Sequence, residues 1–245
     1  MKNNKSLGQH WLKNRARLEE IADLCGSGRL CVEIGPGLGF LTSSLLRRFD
    51  KVIAVEYDAR LAGNLPGSFP GKNLEVVNED ILKYDFGALA APYVVAGNIP
   101  YYITSPIIEK VLTLPVLPER VVILMQKEVA ERILSDKETV LSLFVKNRAD
   151  VRAGLVVNRS EFTPPPKVDS QVLVLEPHAP EVSDAIFKLI RQGFSSPRKK
   201  LLHNLSGLKS REELVRILEE IGVSLEARAG DLHLSEWRKL YDKMA

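Results

Sequence analysis

Leu30-Cys-Val-Glu-Ile-Gly-Pro-Gly-Leu-Gly39 is the stretch whose reading decides the fold. Leu30–Ile34 is a short apolar run, and the glycines after it break the strand before a helical pattern over about 38–48. Strand, glycine turn and helix in that order begin a parallel crossover unit. The alternation then repeats. Val52–Glu56, Leu74–Val77, Tyr93–Ala96 and Val121–Met125 read as further strands. Candidate helices lie between and after them, at about 58–66, 104–113 and 127–135.

Such alternation predicts an α/β fold with parallel strands and helices on both faces of the sheet. A helix at about 138–148 precedes two more strands, Ala149–Val157 and Ser170–Glu176, expected to close the sheet. Between that pair, Glu161-Phe-Thr-Pro-Pro-Pro-Lys167 cannot be helical and reads as a stiff loop. After Pro177-His-Ala-Pro180 the β-rich runs stop, and 181–192, 197–205, 211–220 and 235–243 carry helical periodicity. The domains are therefore expected at 1–178 (α/β, with a basic N-terminal segment) and 179–245 (all-helical).

No apolar run approaches the ~20 residues of a membrane span, and Met1–Ser6 is polar and basic, unlike a signal peptide. A cytoplasmic protein is expected. Two cysteines, Cys25 and Cys31, are too few for a disulfide framework, and no Cys/His spacing fits zinc, so no metal is expected. No coiled-coil seam is apparent, and a monomer is expected. The net charge of +3 is small, but its distribution is uneven. Lys2, Lys5, Lys13, Arg15 and Arg17 open the chain without an acidic residue among them, and Arg198-Lys-Lys200 forms a second cluster. Two basic patches suit a polyanionic partner. They equally suit a solvated tail and a helix end, and charge alone does not choose.

The glycine loop is spaced G-x-G-x-G rather than the G-x-G-x-x-G of dinucleotide binders, so a pyrophosphate is not its obvious ligand. Gly35 and Gly37 let a ligand approach the backbone at a helix N-terminus. Glu56 ends the second strand, where a carboxylate can take both hydroxyls of a ribose. Asp80, after the third strand, can accept from an adenine amino group. These acidic strand ends around one switch-point crevice suit a nucleoside without phosphate, such as S-adenosylmethionine. The fourth strand ends in Gly97-Asn-Ile-Pro-Tyr101. There Asn98 can accept a hydrogen bond from an exocyclic amine, the Ile99–Pro100 turn offers a backbone carbonyl, and Tyr101 can stack on the attached ring. A nucleobase amino group held there beside a methyl donor is set for methyl transfer.

With those stretches in view, the chain closely resembles the ribosomal small-subunit RNA adenine dimethyltransferases, almost end to end. The resemblance is carried by Lys5-Ser-Leu-Gly-Gln-His-Trp-Leu12, Glu33–Gly39, Asn98-Ile-Pro-Tyr-Tyr102, Phe162-Thr-Pro-Pro-Pro-Lys-Val-Asp-Ser170, Arg198–Asn204 and Arg228–Leu232. It implies a Rossmann-like class I methyltransferase domain with a seven-stranded, mostly parallel sheet and a small helical domain that binds RNA. It implies that His10, Leu12, Gly35, Glu56, Asp80 and Asn98 bind S-adenosylmethionine, with S-adenosylhomocysteine as product. The implied partner is small-subunit rRNA in an immature small ribosomal subunit. The implied target is two adjacent adenosines in a hairpin near its 3′ end. Catalytic roles fall to Asn98, Pro100, Tyr101 and Phe162, with Phe162 expected on the second face of the base. Lys2, Lys5, Lys13, Arg198, Lys199 and Lys200 are the expected RNA contacts. Trp11 stands for the usual Phe, and Tyr102 for the usual Asn. A large-subunit enzyme of the antibiotic-resistance type is the nearest alternative, and a non-catalytic assembly factor is another.

Overall fold

The computed structural model describes residues 9–89 and 92–244. Lys2 and Lys5 lie outside them. Contacts gather the chain into two units, one of 1–130 with 149–178 and one of 131–148 with 179–245. Glu131–Arg148 thus groups with the C-terminal helices, where the sequence reading placed it before the 178/179 boundary. Its apolar face and buried Glu138 find their partners there.

The first unit contains β1 (Trp11–Leu12), α1 (Arg15–Cys25), β2 (Gly28–Ile34), α2 (Phe40–Leu45), β3 (Phe49–Glu56), α3 (Ala59–Asn64), β4 (Leu74–Asn78), β5 (Val94–Asn98), α4 (Thr104–Val111), β6 (Arg120–Gln126), β7 (Ala149–Val157), β8 (Phe162–Thr163) and β9 (Ser170–Pro177). Seven strands form one sheet in the order β4-β3-β2-β5-β6-β9-β7. The pairs from β4 through β6 are parallel, and β9 runs antiparallel to both β6 and β7. The order reverses between β2 and β5, which opens a crevice at their C-terminal ends. All seven strands coincide with the sequence expectations to within a few residues.

Two features escaped those expectations. The helix α1 was not anticipated. Its buried residues, Leu18, Ile21, Ala22 and Cys25, repeat at helical spacing, and the Asn14 side chain caps its first turn. They join β-strand residues such as Val122, Leu124 and Val172 in one core cluster. The second is the small antiparallel pair β1–β8, in which Trp11 faces Thr163 and Leu12 faces Phe162. It ties the N-terminal segment to the start of the proline loop.

At the entry to α2, Gly39 has φ +80°, and a Cβ there would lie 2.7 Å from Leu65 and 2.8 Å from Phe69. Only glycine takes that backbone without strain.

The second unit holds α6 (Val140–Lys146), α7 (Asp184–Gly193), α8 (Leu201–Leu205), α9 (Arg211–Glu220) and α10 (Leu234–Met244), with α5 (Lys127–Leu134) leading in from the first unit. Ser210 and Glu213 form a capping box at the start of α9. The core includes Leu201, Leu205, Leu214, Leu218 and Trp237, all fully buried. A buried carboxylate, Glu138, accepts hydrogen bonds from Ser142 (2.6 Å) and Lys146 (2.7 Å), and His233 Nδ1 lies 3.2 Å from it. The Gly230 carbonyl accepts from its backbone N–H at 2.8 Å, closing the Arg228–Leu232 segment against this network.

Candidate active site

A cleft of about 370 Å³ opens at the C-terminal ends of β2, β3 and β5, wholly within the first unit. That volume lies in the range of about 300–1,000 Å³ usual for small-molecule sites. The structure brings His10, Leu12, Gly35, Gly37, Glu56, Asp80, Asn98, Pro100 and Tyr101 to its walls.

The turn after β5 explains how two of them are aimed. Gly97 passes so close to β2 that a Cβ would lie 2.9 Å from the Ile34 carbonyl oxygen. Ile99 is buried and anchors the turn, and Pro100 has φ −59° just before the 3-10 turn Tyr101–Ile103. Asn98 and Tyr101, on either side of that anchor, face the cleft.

The Asn98 amide is oriented by one bond. Its Nδ2 donates to the His10 carbonyl oxygen at 3.1 Å. A carbonyl can only accept, so the amide nitrogen must take this side and Oδ1 is left as the free acceptor. His10 Nδ1 is 2.7 Å from the Pro164 carbonyl oxygen, and its ring lies nearly parallel to Tyr101 with centroids 6.1 Å apart. The Tyr101 hydroxyl meets Ser170 Oγ at 2.7 Å, which fixes the ring from β9. Burial raises the pKa of that phenol, so it stays neutral.

On the other wall, Glu56 is buried at the end of β3. Its two oxygens accept from the Gly37 N–H at 3.0 Å and the Asp58 N–H at 2.9 Å. Burial raises its pKa, and those backbone donors oppose the rise. Each carboxylate oxygen still has a lone pair for a ligand hydroxyl. Asp80 begins the turn that follows β4, and its Oδ1 accepts from the Leu82 N–H at 2.9 Å. Lys110 of α4 holds that turn, donating to the carbonyls of Leu82 (2.9 Å) and Tyr84 (2.7 Å).

Residues 1–245 match the family described as ribosomal RNA adenine dimethylase. The chain belongs to that family. A ribosomal RNA small subunit methyltransferase A from Acaryochloris marina is 38% identical over 260 residues, spanning 98% of this chain and 96% of its own. A dimethyladenosine transferase from Plasmodium falciparum has a similar crystal structure, with a TM-score of 0.80 at 30% identity over 95% of this chain and 98% of that one. The 23S rRNA methyltransferase ErmE matches with a TM-score of 0.78 at 27% identity, over 96% and 99% of the two chains.

As an adenine dimethylase family member the chain is an S-adenosylmethionine-dependent methyltransferase with a Rossmann-like fold. The cleft fits that cofactor. Its lining includes Glu33, Glu56, Glu79 and Asp80 and no lysine or arginine, which suits a ribose diol and an amino group rather than phosphate. Gly37 keeps the loop open, since a Cβ there would come within 3.3 Å of Trp11.

Phe162, expected on the second face of the base, lies away from the cleft walls. Phe162 is 3% exposed and packs in the core cluster with Leu12, Leu18 and Val157. It anchors β8 and is not among the residues that line the cleft. Glu33, to which the sequence assigns no role, is a cleft residue. An acid inside an apolar strand run was the available signal. Burial pushes its carboxyl up to about 8, with help from the Glu56 charge. Its Oε2 is buried without a partner among the described residues.

The expected RNA contacts in view are Lys13 in the first unit and Arg198, Lys199 and Lys200 in the second, all exposed. Lys200 pairs with Glu226 at 2.6 Å, and Lys199 Nζ is 2.9 Å from His203 Nε2. Among the described residues there is no cluster of metal-ligating side chains and no helix long and apolar enough to cross a membrane.

Proposed function

We propose that the chain methylates the N6 amino groups of two adjacent adenosines in a hairpin near the 3′ end of small-subunit rRNA, twice at each. The observation that carries the chemistry is the orientation of Asn98, whose amide oxygen is left as an acceptor at the cleft wall by its bond to the His10 carbonyl.

Glu56 and Asp80 hold the ribose and adenine ends of the cofactor, with His10, Leu12, Gly35 and Gly37 closing around it. When bound, S-adenosylmethionine supplies an electrophilic methyl group. An adenine amine is a weak nucleophile because its lone pair is delocalised into the ring. Asn98 Oδ1 and the carbonyl of the Ile99–Pro100 turn accept its N–H bonds, which favours a pyramidal nitrogen. These acceptors strengthen as positive charge develops on that nitrogen, so the turn acts by positioning and electrostatics. Tyr101, held by Ser170, supports one face of the extruded base at roughly 1–3 kcal/mol. After the first methylation one N–H remains for Asn98, and the proton released each time passes to solvent.

Lys13, Arg198, Lys199 and Lys200, with Lys2 and Lys5, provide phosphate contacts to an immature small subunit. The enzyme acts in the cytoplasm as a monomer. The likeness to ErmE supports one second reading, a large-subunit rRNA target. Incubating unmethylated small and large subunits with labelled donor separates the two. Label in the small subunit, with dimethyladenosine in its 3′ hairpin by mass analysis, supports the first reading; label confined to the large subunit replaces it.

A further inference from the structure

Three Phe, Tyr or Trp rings are exposed among the described residues: Phe40, Tyr57 and Tyr102. All three line the cleft that holds Asn98 and Tyr101. Exposed apolar groups are ordinarily scattered singly over a surface, so their convergence at one opening marks a site for flat ligands. Phe40 and Tyr57 follow the glycine loop and Glu56, on the cofactor side. Tyr102 belongs to the other side, next to Tyr101.

The two tyrosines are consecutive but differ in environment. Tyr101 is half-buried and tied through its hydroxyl to Ser170. Tyr102 is 64% exposed. Both sit on the 3-10 turn stiffened by Pro100 and anchored by the buried Ile99, so the outer ring is presented on a backbone that is already ordered.

We propose that Tyr102 is a stacking platform for the nucleobase next to the one being methylated, an unpaired purine of single-stranded RNA. This rests on the function proposed above. Extruding a base removes one stacking partner from its neighbour, and a phenol ring at the cleft mouth replaces it. Every base has a π face, so such a platform adds affinity more than sequence choice; a purine gains most because its face is largest. A target of adjacent adenosines places a purine there at either methylation.

The test is steady-state methylation of small subunits purified from cells lacking this gene, with S-adenosylhomocysteine binding measured in parallel. Tyr102→Ala should lower kcat/KM for subunits by about 5- to 100-fold, mostly through KM. Tyr102→Phe and Tyr102→Trp should restore it, and S-adenosylhomocysteine affinity should stay within about twofold of the wild type. The platform is overturned by an unchanged kcat/KM in Tyr102→Ala, by failure of Phe to rescue, or by a parallel loss of S-adenosylhomocysteine affinity. If the wild type itself leaves small subunits unmethylated, the proposed function falls and the platform with it.

Discussion

Asn98→Asp exchanges one NH2 group for an oxygen and tests whether amide orientation controls the chemistry. In the wild type Nδ2 donates to the His10 carbonyl at 3.1 Å, which leaves Oδ1 as the acceptor. An aspartate that kept the same rotamer would set two acceptors against each other at that distance. The lost bond costs about 1 kcal/mol and the stranded carbonyl roughly 1–3 kcal/mol more. A side chain that swings away avoids the repulsion but loses its alignment with the amine. Bringing the side chain back to the productive rotamer against that penalty adds about 2–4 kcal/mol to the barrier, or roughly 30- to 1,000-fold in rate. Asn98→Ala removes both the tie and the acceptor and should lose at least about 100-fold, as when one donor of an oxyanion hole is removed. Single-turnover methyl transfer at saturating cofactor reads both, with S-adenosylhomocysteine affinity as the control for pocket integrity. The aspartate variant should recover in part as pH falls from roughly 8 to 5, because a protonated carboxyl regains a donor for the His10 carbonyl. The alanine variant should not. A rate for Asn98→Asp within about threefold of wild type would refute the argument, because the carbonyl tie would then have no hold on the reaction.

Three further outcomes follow from the same geometry. Phe162→Ala should destabilise the protein by about 3–5 kcal/mol in urea unfolding, and Phe162→Leu should keep single-turnover activity within a few-fold; loss of activity in a stably folded Leu variant would return Phe162 to the base. Glu33 is neutral when folded up to about pH 8 but ionises near its ordinary value when unfolded. The folded state therefore holds the extra proton in between, and stability falls as pH rises from about 4.5 to 8, by roughly 3–5 kcal/mol in all. Unfolding midpoints of Glu33→Gln should lack that part of the slope, and identical slopes would show that Glu33 is ionised in the folded state. Lys110→Met removes both donors that hold the Asp80–Tyr84 turn, and calorimetry should show S-adenosylhomocysteine binding weakened by about 5- to 30-fold with partial rescue by Lys110→Arg; unchanged affinity would make the turn self-supporting.

The local periodicities carried much of the fold. Val52–Glu56 and Val121–Met125 are apolar runs whose length and branching suit buried strands, whatever surrounds them. Leu18, Ile21, Ala22 and Cys25 of α1 form a stripe at helical spacing, but Lys13, Arg15 and Arg17 give the start of that segment the pattern of a charged tail. The β1–β8 pair had no such signal. Two residues on each strand, far apart in the chain, define no period, and only the folded sheet brings Trp11 to Thr163.

The site divides in the same way. Glu56, Asp80 and Asn98 could be read in advance because each ends a strand, and parallel strands on one sheet bring such ends together at a switch point. Phe162 could not, because an aromatic before a proline run suits a binding loop and a core anchor equally. Its burial depends on Leu12 and Leu18, from the other end of the chain. The sequence by itself determined the strand–helix alternation, the family and the kinds of groups at the cleft, since these follow from short-range pattern and side-chain chemistry. Tertiary structure alone decided which way the Asn98 amide points and that Tyr102 stands at the mouth. Both depend on what lies a few ångströms away in space, and a backbone carbonyl 88 positions earlier in the chain leaves no mark on the residues around Asn98.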